Sequence, residues 1–222
     1  MPKLVPIVEG DGELNALPVL LRRLLHDEWQ RYDWGILRPI NAHGCGGLTT
    51  PNGIERFIEY ALLEPECDGV LVLIDGDAVH HLPDRQRPEN DCSPAFASVL
   101  AQRVRALAPR APVVIVIVRW EYEAWFLASV ESIAGRPIKG LPGLPADTQF
   151  SGDVESERNP KGWIEARFPP GRRYSETRDQ AAITSLLDLN LVDERSRSFR
   201  RLKNAIQQVI DYHQRGQVFV TP

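Results

Sequence analysis

The sequence has few sulfur-containing residues and no long apolar run. Its three cysteines, Cys45, Cys67 and Cys92, form no CxxC pair and follow no secretory leader. We therefore expect reduced thiols and a cytoplasmic protein. The longest apolar runs, 69–74 and 112–118, are far shorter than the about 20 residues that cross a bilayer. The sequence thus predicts no membrane span.

The chain also lacks a large excess of either charge. Its 26 Lys and Arg residues against 30 Asp and Glu residues give a net charge of −4. This balance argues against a globally basic nucleic-acid coat, but it allows a local basic groove. Hydrophobic residues make up 43% of the 222 residues, which is enough to fill a sizeable core. At this length we expect one main domain with an appendage.

The first half of the chain alternates short β-rich runs with amphipathic stretches, as βαβ units do. We predict an α/β protein with a Rossmann-like parallel sheet of about four strands, at 4–8, 35–40, 69–74 and 112–118. The predicted helices are 12–30, 53–63 and 93–107. The last two strands are nearly continuous in Val, Leu and Ile, which indicates that helices cover both faces of the sheet.

After residue 119 the pattern changes. Residues 121–130 are aromatic and helical, 135–170 are rich in Gly, Pro, Asp and Asn, and helical periodicity returns at 176–187 and 196–212. A short edge strand is predicted at 217–221. We assign residues 1–120 to the α/β core and 121–222 to a loop-rich, helical extension packed on it, with Tyr122, Trp125 and Phe126 in the shared interior.

Acidic residues follow two of the predicted strands. Glu9 follows the first strand, and Asp75 and Asp77 follow the third. The carboxyl ends of parallel strands meet at one edge, and three hard oxygen ligands there suit Mg²⁺ or Mn²⁺. We interpret Gly10 and Gly76 as allowing a phosphate or metal to approach the backbone. The alternative is that the acidic residues only cap helices.

Two further carboxylates follow the fourth strand. Glu121 and Glu123 should reach the same edge, where they are candidates for a second metal or for orienting a water molecule. A stabilising interaction with the first turn of a helix explains them equally well.

Positive charge is concentrated in the last predicted helix. Five cations fall within nine residues, namely Arg195, Arg197, Arg200, Arg201 and Lys203. Such a cluster can hold phosphates beside a metal, although a solvated helix face or a docking surface for an acidic partner explains it equally well. Lys161, Arg172 and Arg173, in the loop-rich insert, are candidates to close over a substrate, although mobility of the insert alone would also explain its composition.

The acidic motifs resemble those of a known domain. VEG at 8–10 and LVLIDGD at 71–77 are similar to the Toprim domain of topoisomerases, primases and overcoming-lysogenization-defect nucleases. Nearly the whole chain resembles the bacterial family called domain of unknown function 4276. The matching stretches are PIVEGDGE at 6–13, PVLLRR at 18–23, RPI at 38–40, EYEAWFLA at 121–128, KGW at 161–163, DQA at 179–181 and SFRRL at 198–202.

This resemblance implies a Toprim-like fold and a metal-dependent phosphodiester hydrolase, a nuclease acting on DNA or RNA. It implies that Glu9 is a general acid or base, or a metal ligand, while Asp75 and Asp77 hold Mg²⁺. The resemblance to nuclease–ATPase pairs of bacterial defence implies a separate ATPase partner. The alternatives are an Asp-x-Asp phosphatase or nucleotidyl transferase, and a non-catalytic interaction module. Assembly with further copies of the chain stays open.

Overall fold

The computed structural model describes residues 1–216 and 218–222. Its sheet has three long central strands, β1 (Lys3–Val8), β4 (Gly69–Asp75) and β5 (Val113–Val118), and three two-residue strands, β2 (Gly35–Ile36), β3 (Ile40–Asn41) and β6 (Val220–Thr221). The order is β2-β1-β4-β5-β6, with β3 also paired to β1. Every strand pair in this sheet is parallel. The fold is therefore α/β, as predicted.

The helices lie mainly between the strands and after β5. They are α1 (Asp11–Arg22), α2 (Cys45–Thr49), α3 (Gly53–Leu63), α4 (Ser93–Arg105), α5 (Ala124–Ala128), α6 (Val130–Ile133), α7 (Pro160–Glu165), α8 (Ala181–Leu186), α9 (Leu189–Arg195) and α10 (Arg197–Arg215). Segments 23–28 and 176–180 are π-helical, and 76–81, 84–86 and 89–91 are 3₁₀ turns. Among the described residues, no helix is both long and apolar enough to span a bilayer.

Helices cover both faces of the sheet, as the apolar strands predicted. Successive side chains of a strand point to opposite faces. On one face, Leu71 and Val116 pack with α1 and α10. On the other face, Val72 and Ile115 pack with α3 and α4. Both faces of β4 and β5 are thereby removed from water, which fixes the positions of their carboxyl ends.

The aromatic run after β5 lies in the core, as predicted. Tyr122, Trp125 and Phe126 are completely buried. The Trp125 ring lies edge-on to Tyr122 and to Phe199 of α10, with centroid distances of 4.9 and 5.5 Å, and its Nε1–H donates to Ser198 Oγ at 3.1 Å. The extension and one face of the sheet thus share a single hydrophobic cluster.

Some element boundaries differ from the prediction. The expected helix 12–30 is α-helical only to Arg22 and then continues as a π-helical turn. The expected strand 35–40 is split into β2 and β3, and Pro39, which has no N–H to donate, lies between them. Within the described residues the sheet therefore has six strands, where about four were expected. The predicted edge strand 217–221 is present as β6, while Gln217 lies outside the described residues.

Candidate metal centre

The carboxyl edge of the sheet brings together the five predicted acidic residues. Glu9 follows β1 directly, Asp75 ends β4, and Asp77 lies in the turn after it. Glu121 and Glu123 lie between β5 and α5. Since β1, β4 and β5 are neighbours in the sheet, these side chains come from three adjacent strand ends. We call Glu9, Asp75, Asp77, Glu121 and Glu123 the acidic cluster.

Glu9 is hydrogen-bonded to the end of the neighbouring strand, β4. Its Oε1 accepts a hydrogen bond from the Asp75 backbone N–H at 3.1 Å. Burial raises the pKa of Glu9 to about 8, the Asp75 N–H lowers it, and repulsion from Asp77 and Glu13 raises it further. At neutral pH, Glu9 is therefore a carboxyl group that can both release and accept a proton.

The other members of the acidic cluster repel one another in the same way. The pKa of Asp75 is raised well above its ordinary value, first by burial and then by Glu9, Glu13 and Glu123. Burial also raises the pKa of Glu121, with a contribution from Asp77. Burial of acidic groups among other acidic groups is costly unless they are protonated or a cation joins them.

The two glycines beside the cluster serve the packing of the chain itself. A Cβ at Gly76 would lie 2.7 Å from the Val118 carbonyl oxygen, and the Gly76 N–H donates to the Trp120 carbonyl at 2.8 Å. Gly10 donates its N–H to Glu13 Oε2 at 3.1 Å, at the start of α1. The structure thus gives Gly76 a packing role between the ends of β4 and β5, and the approach of a phosphate or metal to the backbone stays a prediction.

Sequence reasoning missed a buried network behind the acidic cluster. Gln180 is completely buried, and its Nε2 donates to Glu13 Oε1 and to Glu123 Oε1, both at 3.2 Å. Tyr174 donates its hydroxyl to the same Glu123 oxygen at 2.6 Å. Burial raises the pKa of Glu123 to about 7. The signal in the sequence was DQA at 179–181, which belongs to the family-like stretches.

Gln180 also explains a third glycine. A Cβ at Gly12 would lie 2.4 Å from Gln180 Oε1, so only glycine leaves room for this side chain against α1. The network therefore connects the start of α1, the loop after β5 and the segment 174–180. The predicted role of Glu123 as a metal ligand stays a prediction, since its Oε1 already accepts two hydrogen bonds.

Lys161 is the predicted phosphate-binding residue that lies at this edge. Its backbone N–H donates to Glu121 Oε2 at 3.0 Å, and its ammonium group forms an ion pair with Glu176. The ammonium group is partly exposed. A cation at the rim of the acidic cluster can both offset its charge and contact a phosphate.

The predicted cations of the last helix are dispersed. Arg197 pairs with Glu155 at 2.7 Å. Arg197 and Arg201 both line a cleft beside the acidic cluster. Arg200 donates to main-chain carbonyls at the end of α9. Lys203 pairs with Glu28. Glu28 ends the π-helical continuation of α1, and the length of this helix places it roughly 25 Å from the acidic edge. Arg200 and Lys203 thus have structural partners, and a role in phosphate binding stays a prediction for them.

Three other cations named from the sequence lie elsewhere. Arg195 pairs with Glu131 at 2.7 Å, Arg172 pairs with Asp179 at 3.1 Å, and Arg173 is exposed. Arg195 and Arg172 therefore join segments of the extension to one another.

The donor set of the acidic cluster fits a hard divalent cation. It offers carboxylate oxygens, which Mg²⁺ and Mn²⁺ prefer, and it contains mutual repulsion that such a cation would relieve. Within residues 1–216 and 218–222, however, no three His, Cys, Asp or Glu side chains lie close enough together to be a formed metal site. The residues that would hold the ion are Glu9, Asp75 and Asp77, with Glu121 beside them.

Comparison with known proteins gave one match. A family model described as "Domain of unknown function (DUF4276)" matches residues 8–207. No curated protein and no solved structure matched the chain.

Proposed function

Since the chain belongs to the family described as "Domain of unknown function (DUF4276)", a description that states no activity, we propose a function from its acidic cluster. The protein is a metal-dependent phosphodiester hydrolase of Toprim type, a nuclease acting on DNA or RNA. The observation that carries this proposal is the convergence of Glu9, Asp75 and Asp77 at adjacent strand ends. Burial and Asp77 raise the pKa of Glu9, and burial and Glu9 raise the pKa of Asp75.

The proposed roles follow from the position of each side chain. Asp75 and Asp77 would hold Mg²⁺ or Mn²⁺, which polarises a phosphodiester and offsets the charge that develops during in-line displacement. Glu9 has a pKa of about 8 without metal, so its carboxyl group is mostly protonated near neutral pH and can donate a proton to the leaving oxygen. Lys161, which reaches the rim of the cluster, would contact a phosphate oxygen.

Cleavage assays test the proposal. Labelled single- and double-stranded DNA and RNA are incubated with Mg²⁺, Mn²⁺ or EDTA. We expect metal-dependent cleavage that is lost in the Asp75→Asn, Asp77→Asn variant. A matched control removes two exposed carboxylates outside the cluster, Asp84→Asn and Asp147→Asn, and should cleave at the wild-type rate. No cleavage with any metal, together with no Mn²⁺ binding by calorimetry, would reject the proposal.

One observation favours a second candidate, a non-catalytic interaction module. In the described part of the chain, the carboxylates do not form a ready three-ligand site, and Glu9 and Glu123 are engaged in hydrogen bonds within the protein. A module of this kind would bind no Mn²⁺, and the Asp75→Asn, Asp77→Asn variant would behave like wild type in cleavage assays. The same calorimetric titration therefore separates the two candidates.

A further inference from the structure

A cleft of about 500 Å³ opens between the end of β5 and the starts of α4 and α10. Four arginines line it, Arg119, Arg158, Arg197 and Arg201. Arg119 and Trp120 belong to the same loop as Glu121 of the acidic cluster. The cleft and the acidic cluster are therefore neighbours at the carboxyl edge. We call this space the arginine cleft.

Two of the arginines are held at the same aromatic ring. The guanidinium carbons of Arg119 and Arg158 lie 3.8 and 4.5 Å from the centroid of the Trp120 ring. Arg119 donates to the carbonyl oxygens of Asp91 and Glu155, at 2.9 and 3.3 Å. These hydrogen-bond acceptors carry no net charge. Burial lowers the pKa of Arg119, attraction from Glu155 and Asp91 raises it, and repulsion from Arg158 and Arg197 lowers it.

The carboxylate in the cleft lining, Glu155, already has hydrogen-bond partners within the protein. Glu155 is buried. Its Oε1 accepts from the Ser198 N–H at 2.7 Å and from the Ser196 hydroxyl at 3.2 Å, and its Oε2 accepts from Arg197 Nε at 2.7 Å. Arg197 also lies 4.0 Å from Asp153. Glu155 thus caps α10 and neutralises Arg197, which leaves an excess of positive charge on Arg119, Arg158 and Arg201.

The start of α4 adds donors on the opposite wall. This 13-residue helix has no side-chain cap and no acidic residue in its first turn. Ser93, its first residue, is 8% exposed and lines the cleft, and its hydroxyl has no hydrogen-bond partner among the residues that the structure describes. A buried hydroxyl without a partner is costly. The positive end of the α4 dipole likewise favours an anion.

We propose that the arginine cleft binds a phosphate group, with Ser93, the start of α4, Arg119, Arg158 and Arg201 as its ligands. This inference rests on the proposed function in one respect, namely that the phosphate belongs to a polynucleotide whose scissile bond lies at the acidic cluster. A free phosphate monoester offers the same chemistry. The arginine cleft then positions the substrate, and the acidic cluster carries out the reaction.

Binding without metal tests the inference separately from hydrolysis. Anisotropy of a labelled single-stranded oligonucleotide, and calorimetry with AMP and inorganic phosphate, are measured in EDTA. The variant Arg158→Gln, Arg201→Gln changes two exposed arginines of the cleft. The control Arg56→Gln, Arg136→Gln removes the same charge from exposed positions outside the cleft lining. Ser93→Ala removes the hydroxyl without adding volume.

We expect the cleft variant to bind the oligonucleotide at least about tenfold more weakly, with the salt slope reduced by about 1.4 for two lost contacts. The control should change affinity less than about twofold, and Asp75→Asn, Asp77→Asn should still bind. Ser93→Ala should weaken binding severalfold. If the cleft variant binds only the oligonucleotide more weakly, the ligand of the cleft is a backbone phosphate. If it also binds AMP and inorganic phosphate more weakly, the ligand is a phosphate monoester.

A second readout uses Cys92, an exposed cysteine in the lining of the cleft. Alkylation of Cys92, followed by peptide mass spectrometry, should slow when the ligand is bound. The inference is overturned if wild type binds none of the three ligands in EDTA, or if the cleft variant matches its control. A wild-type protein that binds these ligands in EDTA but shows neither cleavage with any metal nor Mn²⁺ binding would reject the hydrolase and leave the phosphate site standing.

Discussion

At the scale of single residues, the acidic cluster is held in place despite its own charge. Glu9 receives one backbone hydrogen bond, and Glu123 receives two from side chains. These bonds orient the carboxyl groups without neutralising them, and burial raises the pKa values of Glu9 and Glu123 to about 8 and 7. Part of the cluster is therefore protonated at neutral pH in the absence of a cation.

This predicts how stability without metal depends on pH. Between the ordinary pKa of 4.5 and about 8, Glu9 is protonated in the folded state and ionised in the unfolded state. The folded state then binds more protons, so the free energy of unfolding falls as the pH rises through this window. Each tenfold difference in proton affinity corresponds to about 1.4 kcal/mol. Glu9→Gln retains the acceptor for the Asp75 N–H and should flatten the decline.

Urea unfolding in EDTA at pH 5, 6, 7 and 8 measures this effect. Wild type should lose stability steadily across the series, while Glu9→Gln should lose clearly less. Some decline remains in the variant, because Asp75 and Glu123 have raised pKa values of the same sign. Equal slopes for the two proteins would contradict the prediction.

The acidic residues could be predicted from the sequence because each follows an apolar strand, and parallel strands deliver their ends to one edge. The contacts of Tyr174 and Gln180 with Glu123 could not be predicted, because they span more than 50 residues of chain. The family-like stretch DQA marked Gln180 but did not indicate its partner. The cations of α10 look equivalent along the sequence. Tertiary contacts alone decide that Arg201 faces the arginine cleft while Lys203 reaches Glu28.

At the scale of elements, a buried ion pair holds the segment that carries Gln180. Asp179 is completely buried and accepts hydrogen bonds from Arg172, Arg178 and the Ser175 N–H. Within the described part of the chain, the Nε and Nη1 atoms of Arg172 have no hydrogen-bond partner, and Asp179 is the carboxylate that pairs with this buried guanidinium. This contact fixes the π-helical turn 176–180 against its own loop, next to the acidic cluster.

We predict that Asp179→Asn destabilises the protein by about 3–5 kcal/mol, because the charge of Arg172 would be left buried without compensation. Urea unfolding at pH 7 measures the change. The exposed Asp147→Asn is the matched control and should stay within about 0.5 kcal/mol of wild type. A loss below about 1 kcal/mol for Asp179→Asn would show that the ion pair does not anchor this segment.

The element boundaries show which sequence signals were sufficient. The apolar runs of β4 and β5 appear in the structure almost at their predicted limits, because burial on both faces requires an unbroken apolar segment. The expected strand 35–40 was wrong as a single element, since Pro39 interrupts the pairing with β1. The expected long first helix is present and ends at Glu28, although hydrophobic spacing alone does not distinguish its α-helical part from the π-helical turn after Arg22.

At the scale of the whole molecule, the acidic cluster is a local source of instability carried by a large common core. The sheet and the extension bury one continuous cluster from β1 to α10, and helices α3 and α4 cover the opposite face. Such a framework can hold like charges at one edge, where they cost stability and serve binding. Stability and metal binding should therefore change in opposite directions when these charges are removed.

We predict this reversal for Asp75→Asn, Asp77→Asn at pH 8. In EDTA, the variant should melt at a higher temperature than wild type, because repulsion within the acidic cluster is reduced. With free Mn²⁺ at 100 times its Kd, wild type should gain about 2.7 kcal/mol, a rise of about 5–10 °C for a chain of this length, and the variant should gain none.

Thermal unfolding followed by circular dichroism measures both effects in one series. The Asp84→Asn, Asp147→Asn control should match wild type in EDTA and should keep the full response to Mn²⁺, since both residues are exposed. A variant that is less stable than wild type in EDTA would mean that these carboxylates have structural partners. A wild-type protein that does not respond to Mn²⁺ would mean that the edge is acidic for a reason other than metal binding.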